Sequence, residues 1–95
     1  MNMQSVELQF DKTLIALAGF PFGQVTFQTQ VKDCIDLDRE VTIKFPDNII
    51  RVASSFVQGF FDEWLNAYGV DAIRERVIIS SVNEKINDQV FSNLY

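Results

Sequence analysis

Ser55-Phe56-Val57-Gln58-Gly59-Phe60-Phe61-Asp62-Glu63-Trp64-Leu65-Asn66-Ala67-Tyr68-Gly69 is the stretch on which the fold turns. Val57, Phe60, Phe61, Trp64 and Tyr68 recur at helical spacing and form one apolar stripe, with Gln58, Asp62, Glu63 and Asn66 opposite. Ser55 and Gln58 stand at the spacing of a capping box, in which each side chain satisfies a backbone N–H left free in the first turn. Gly69 fits the C-terminal stop. The pattern predicts an amphipathic helix over residues 55–68 whose rings are buried against a sheet.

Downstream, Val77-Ile78-Ile79 makes residues 76–80 almost wholly apolar, which predicts a central strand covered on both faces. Ser81-Val82-Asn83-Glu84 has the form of a second capping box. It opens a last helix to about Leu94, with Val82, Ile86, Val90 and Leu94 on one face. Upstream, residues 49–53 read as an extended crossover and Pro46-Asp47-Asn48 as a turn. Residues 41–45 form a strand with Val41, Ile43 and Phe45 inward, and residues 36–40 a charged loop. Phe27, Val31, Cys34 and Ile35 share one helical face, predicting a helix over residues 24–35. Gly19-Phe20-Pro21-Phe22-Gly23 reads as a connection, because two glycines and a proline in five residues exclude a regular element. Residues 3–10 alternate with Val6, Leu8 and Phe10 on one side, and residues 13–18 are expected to pair back on them as a hairpin across Asp11-Lys12. The order is strand, strand, helix, strand, helix, strand, helix. It predicts an α/β fold: a small mixed sheet of about four strands with three helices and right-handed crossovers. No internal repeat or Pro/Gly-rich linker divides the chain, so residues 1–95 are expected to form one domain.

Composition narrows the function. Hydrophobic residues make up 47% of the 95, with nine phenylalanines, which excludes a disordered chain. The net charge is −5 and the eight basic residues never form a block, so neither nucleic acid nor an anionic membrane surface is an expected partner. No stretch has the length of an apolar membrane span, and residues 1–10 lack the regions of a signal peptide. Cys34 is the only cysteine, so no internal disulfide forms and a cytoplasmic setting is expected. Histidine is absent, which removes Ser-His-Asp and Cys-His catalysis, most zinc sites and a neutral-pH proton shuttle.

Residues 41–94 resemble a STAS domain, the fold of anti-anti-sigma factors, and more closely the STAS-like family of unknown function (the DUF4325 group). The likeness rests on Val41-Thr42-Ile43-Lys44-Phe45, then Val52-Ala53-Ser54-Ser55-Phe56, then the Phe/Trp helix, then Val77-Ile78-Ile79. STAS domains carry an acidic residue, serines and a glycine in the loop before this helix. Here Ala53 and Phe56 stand at the flanking positions, and the Ser-Ser-Phe form matches the STAS-like family better. The resemblance implies a STAS-like fold over the single domain and a non-catalytic protein-interaction module of regulatory kind. It also implies a kinase-like ATPase as partner, and Ser54 as the match to the serine that such a kinase phosphorylates.

The candidate residues each have a plainer account. Ser54 and Ser55 are the regulatory phosphosite candidates, since a phosphate at a helix N-terminus meets free N–H groups and the positive end of the dipole. The plainer account has Ser55 capping the helix and Ser54 packed beside it. Phe56 is a partner anchor or half-buried core. Phe20 and Phe22, flanking Pro21, form a recognition tip or close the end of the core. Cys34, on an apolar helical face, is expected to be a buried inert thiol. Asp36, Asp38 and Glu40 enclose Arg39 and read as a solvated turn rather than a metal loop. The expectation is thus a protein partner meeting Ser54, Ser55, Phe56, Phe20 and Phe22, with no catalytic, cofactor or metal site and with a homodimer left open. The rival is a small acidic inhibitor, encoded by a mobile element, that mimics nucleic-acid charge. It would cluster Asp62, Glu63, Asp71 and Glu75 on one exposed face.

Overall fold

Residues 4–94 are described by a computed structural model of the chain. Five strands in two sheets and four helices follow in the order β1 (Gln4–Glu7), β2 (Ala16–Leu17), α1 (Phe20–Gln30), β3 (Val41–Lys44), β4 (Arg51–Val52), α2 (Ser54–Tyr68), α3 (Val70–Arg76), β5 (Val77–Ser80) and α4 (Glu84–Ser92). This is a small α/β fold. Met3, at the start of the first predicted strand, lies outside the described residues.

The main sheet has the order β1-β3-β5 and is parallel throughout, with Val6 opposite Ile43 and Ile43 opposite Ile79. Because side chains alternate, Val6, Leu8, Val41, Ile43, Phe45, Val77 and Ile79 all enter one core face. Against it lie Phe27 and Val31, the α2 residues Phe56, Val57, Phe60, Phe61 and Trp64, then Ile73, Ile86, Val90 and Leu94. The rings interlock edge-on and stacked: Phe60 sits 4.9 Å from Phe61, and Trp64 sits 5.8 Å from both Phe61 and Phe27. Burying each such ring stabilises by about 1.5–3 kcal/mol. Trp64 also donates its indole N–H to the Leu37 carbonyl at 3.0 Å, so its polar edge is not left unpaired in the core.

The second strand does not fold back as a hairpin. β2 pairs in parallel with β4, Ala16 opposite Arg51 and Leu17 opposite Val52, in a separate two-stranded sheet. Asp11 accepts from the Thr13 amide and hydroxyl, closing a local turn that carries the chain away from β1 instead of back along it. The 49–53 run contains β4 and is part of this second sheet. The 76–80 run is not a central strand. β5 is an edge of the main sheet, and Ile78 is 42% exposed on the face opposite the core. That face carries Ser5, Glu7, Thr42, Lys44 and Ser80, which alternation turns away from the buried rows. Its polar composition explains how a parallel sheet keeps one side in solvent.

α1 begins within the Gly-Phe-Pro-Phe-Gly segment. Gly19 takes φ 106, which glycine reaches without a Cβ clash, and Pro21 occupies the first turn, where its missing N–H costs nothing. α1 ends at Gln30. Cys34 therefore lies beyond the helix in an exposed turn and is not a buried thiol. Neither predicted capping box forms. The N-cap of α2 is Ala53, with no side-chain bond, and the N-cap of α4 is Asn83, whose side chain accepts from the Lys85 amide at 3.1 Å. Gly69, at φ 86, ends α2 as expected, and α3 follows at once. Tyr68, on the predicted apolar stripe, is 42% exposed, with the Arg76 guanidinium 5.2 Å from its ring centroid. Val82 is exposed rather than on the buried face of the last helix.

Candidate functional site

β2 and β4 run side by side into α1 and α2, so the two helices start next to each other. The Ala53 amide donates to the Leu17 carbonyl at 2.8 Å, and the Gly19 amide donates to the Ser55 hydroxyl at 2.8 Å. Beyond this point the helices approach so closely that only glycine fits between them. A Cβ on Gly59 would meet the Phe20 carbonyl oxygen, and one on Gly23 the Phe56 carbonyl oxygen and the Phe60 nitrogen. Further along, Phe27 packs edge-on to Phe60 at 5.8 Å and Gln28 donates to Glu63 at 2.6 Å, so the two helices run in the same direction.

The five candidate residues fall at or near this junction but differ in what they can do. Ser54 is the first residue of α2; it is exposed and does not cap the helix. Ser55 is half-buried and its hydroxyl holds the start of α1, so a phosphate there would break the junction. Phe56 is 1% exposed, enclosed by Phe22 at 5.4 Å, Phe60 at 5.9 Å and Phe10 at 6.3 Å. It is core, and so it cannot serve as a partner anchor: the turn of α2 that displays Ser54 carries Phe56 inward. Phe20 and Phe22 lie in the first turn of α1, not on a loop tip, and are 38% and 36% exposed. Phe22 both faces solvent and closes the core, against Phe10 at 5.8 Å and Phe56.

A groove of about 190 Å³ runs between α1 and α2, lined by Gln24, Phe27, Gln28, Gly59, Asp62, Glu63 and Asn66. It was not foreseen from the sequence. Gln24 and Gln28, four residues apart, face Asp62, Glu63 and Asn66 across the seam that Gly59 opens. That spacing, set beside a mid-helix glycine, was the available signal. Glu63 is already engaged: Lys32 reaches it at 2.7 Å, and the Lys32 ammonium, with Gln28, holds its carboxyl below the usual range. The same contact raises the Lys32 ammonium above its ordinary value. Of the four acids named for a charge-mimicking face, Glu63 is thus neutralised by Lys32, Asp62 is half-buried in the groove, and Asp71 and Glu75 are carried separately on α3.

Gln4 stitches the acidic 36–40 loop to the start of the main sheet, donating to the Asp36 and Glu40 carbonyls and accepting from the Asp36 amide. Asp36 binds Arg39 at 3.1 Å. Among the described residues no group of three or more His, Cys, Asp or Glu side chains could hold a metal ion, and no helix is long and apolar enough to cross a membrane. No protein-family model matches the chain, and neither the curated proteins nor the solved structures contain a match to it.

Proposed function

We propose that the chain is a non-catalytic protein-interaction module of STAS-like fold, working in the cytoplasm, with its contact surface where α1 and α2 begin. The observation that carries this reading is the division of labour at the junction. Ser55 and Phe56 are consumed by structure, whereas Ser54 is exposed at the start of α2, and Phe20 and Phe22 are half-exposed in the first turn of α1, whose start Ser55 holds. Half-exposed aromatic rings suit a protein interface, where Phe, Tyr and Trp are enriched and charge is sparse. Ser54 can accept a phosphate without breaking a bond of the fold, and the N-terminus of α2 would tolerate its charge. The resemblance to STAS-like domains makes a kinase-like ATPase the first partner to test.

The test compares wild type, Ser54→Asp and Phe20→Ser as baits in extracts of the native host, with captured proteins quantified by mass spectrometry. Ser54→Asp is expected to keep the melting temperature within a few degrees, since surface changes usually stay within about 0.5 kcal/mol. It should also lose a captured partner by about tenfold or more, because an unpaired charge buried at an interface costs several kcal/mol. Equal capture by all three baits would place the functional surface elsewhere. An unfolded Ser54→Asp would make Ser54 a packing residue.

A further inference from the structure

The groove between α1 and α2 holds a carboxylate that the fold leaves unspent. Its neighbour Glu63 is occupied, by Lys32 at 2.7 Å and by Gln28 at 2.6 Å. Asp62 lines the same groove, is half-buried, and has no hydrogen-bond or ionic partner among the described residues. Gln24 and Asn66, on the same rim, have none either. Elsewhere the long amides are used to hold the fold: Gln4 accepts from the Asp36 amide, Gln30 from the Gln9 amide and Gln89 from the Val52 amide. A carboxylate drawn partly out of water with no partner loses hydration and gains nothing in return. Three unspent polar side chains thus converge on one cavity, whose inner wall is the buried ring of Phe27 and the space left open at Gly59.

We infer that this groove is a binding site for a single guanidinium group. Sign comes first. None of the residues lining the groove is basic, and the chain carries −5, so the cavity attracts cations and repels anions. Hydrogen bonding narrows the choice. An ionised Asp62 only accepts, and the Gln24 and Asn66 amides each offer an accepting oxygen, so the ligand must bring several N–H donors. Spacing favours a fork over a point charge. Asp62 and Asn66 stand four residues apart on α2, about 5–6 Å between their Cβ atoms, and Gln24 stands across from them on α1. The planar guanidinium spreads its donors over that span, which a compact ammonium does not, and it is the more weakly hydrated of the two. Its methylene stem would lie along Phe27 and Gly59. Size agrees: about 190 Å³ takes one such group and falls short of the roughly 300 Å³ at which sites for drug-sized ligands begin. The chemistry is the same whether the guanidinium belongs to a free small molecule or to an arginine side chain, and the test separates the two. The inference stands whether or not Ser54 meets a partner.

The full chain, titrated with N-butylguanidinium and followed by its amide NMR shifts, tests this. One guanidinium held in this way binds weakly, with a dissociation constant of about 1 mM, so the titration runs to about 20 mM. Saturable shifts are expected at Gln24, Gly59, Asp62 and Asn66, and N-butylammonium, with the same stem and charge, should bind at least fivefold more weakly. Asp62→Asn should keep the fold and weaken N-butylguanidinium tenfold or more. Gln24→Met, on the other helix, should weaken it by about threefold, and serves if Asp62→Asn disturbs the fold. Asp71→Asn, on α3, should bind like wild type. A blocked glycine-arginine-glycine peptide gives the second arm: if it binds more tightly than N-butylguanidinium the natural ligand is an arginine side chain, and if less tightly a free small molecule. Absence of saturable shifts in the groove overturns the inference. So does N-butylammonium binding as tightly as N-butylguanidinium, or a folded Asp62→Asn or Gln24→Met that binds as wild type does.

Discussion

α1 and α2 lie against each other and share one core, yet they are helices for different reasons. α2 announces itself: its apolar stripe, its length and the glycine after it all point to one element, and it buries five of its large apolar side chains. α1 has no such stripe. Its buried residues are Gly23, Thr26 and Phe27, its start lies in a segment rich in helix breakers, and it carries no charge to favour either end. What makes α1 a helix is α2. Gly59 admits the backbone of α1 at Phe20, Gly23 admits the backbone of α2 at Phe56, and Ser55 holds the amide of Gly19. A helix can thus be specified by a surface built elsewhere, and its own periodicity then says little.

The strongest way to break this comparison is to remove the surface while leaving the sequence of α1 untouched. Gly59→Ala introduces a methyl that meets the Phe20 backbone, and a backbone cannot step aside as a flexible side chain can. Such overpacking costs up to about 3 kcal/mol, a large share of a small domain's stability, although alanine has the higher helix propensity and would stabilise an isolated α2. Urea unfolding should show the loss, and hydrogen exchange should show amides of α1 losing protection before those of α2. A neutral or stabilising Gly59→Ala would mean that the helices can separate without cost.

The same contrast explains what was legible beforehand. The buried faces of β3 and α2, and the stop at Gly69, follow from patterns within each element. The helix of Phe20–Gln30, the parallel pairing of β2 with β4 and the edge position of β5 depend on residues 30 to 40 positions away. Val77-Ile78-Ile79 has the composition of a covered strand, but only the sheet order shows that Ile78 faces solvent. At the candidate site, Ser54, Ser55, Phe20 and Phe22 were found by residue type. Their roles were not, because a serine in the first turn can cap its own helix or hold another, and Ser55 does the second.

That second role sharpens the comparison at a smaller scale. Ser55→Ala removes the acceptor for the Gly19 amide, and an unmet hydrogen bond at a half-buried site costs about 1 kcal/mol. If Ser55 supports α1, the Gly19 amide should exchange faster and its proton shift should move, while α2 still begins at Ser54. If Ser55 were a cap of its own helix, the first-turn amides of α2 would be the ones to fray. Loss of protection confined to α2 would therefore overturn the cross-helix assignment.

The smallest effect is expected where the two helices meet in solvent, at Lys32 and Glu63, whose side chains are 41% and 40% exposed. Both pKa shifts favour the charged pair. Hydrogen bonding from Lys32 holds the Glu63 carboxyl below its ordinary 4.5, so its contribution is present above that value and is lost as pH falls through the lowered folded one. Bonding to Glu63 raises the Lys32 ammonium above 10.5, so its contribution is present below 10.5 and is lost as pH rises through the raised folded value. Between these limits the pair adds a flat increment, small because solvent and salt screen it. Glu63→Gln keeps an acceptor for Gln28 but removes the charge. Its melting temperature should lie slightly below wild type at neutral pH, by a margin that shrinks with added salt and is lost as pH falls through the lowered Glu63 pKa. Asp11, whose carboxyl Thr13 also holds low, loses its own contribution over the same acid range in both proteins, so it cancels in the difference. A margin that stays constant from neutral to acid pH would show that Glu63 matters to the helix pair through packing alone.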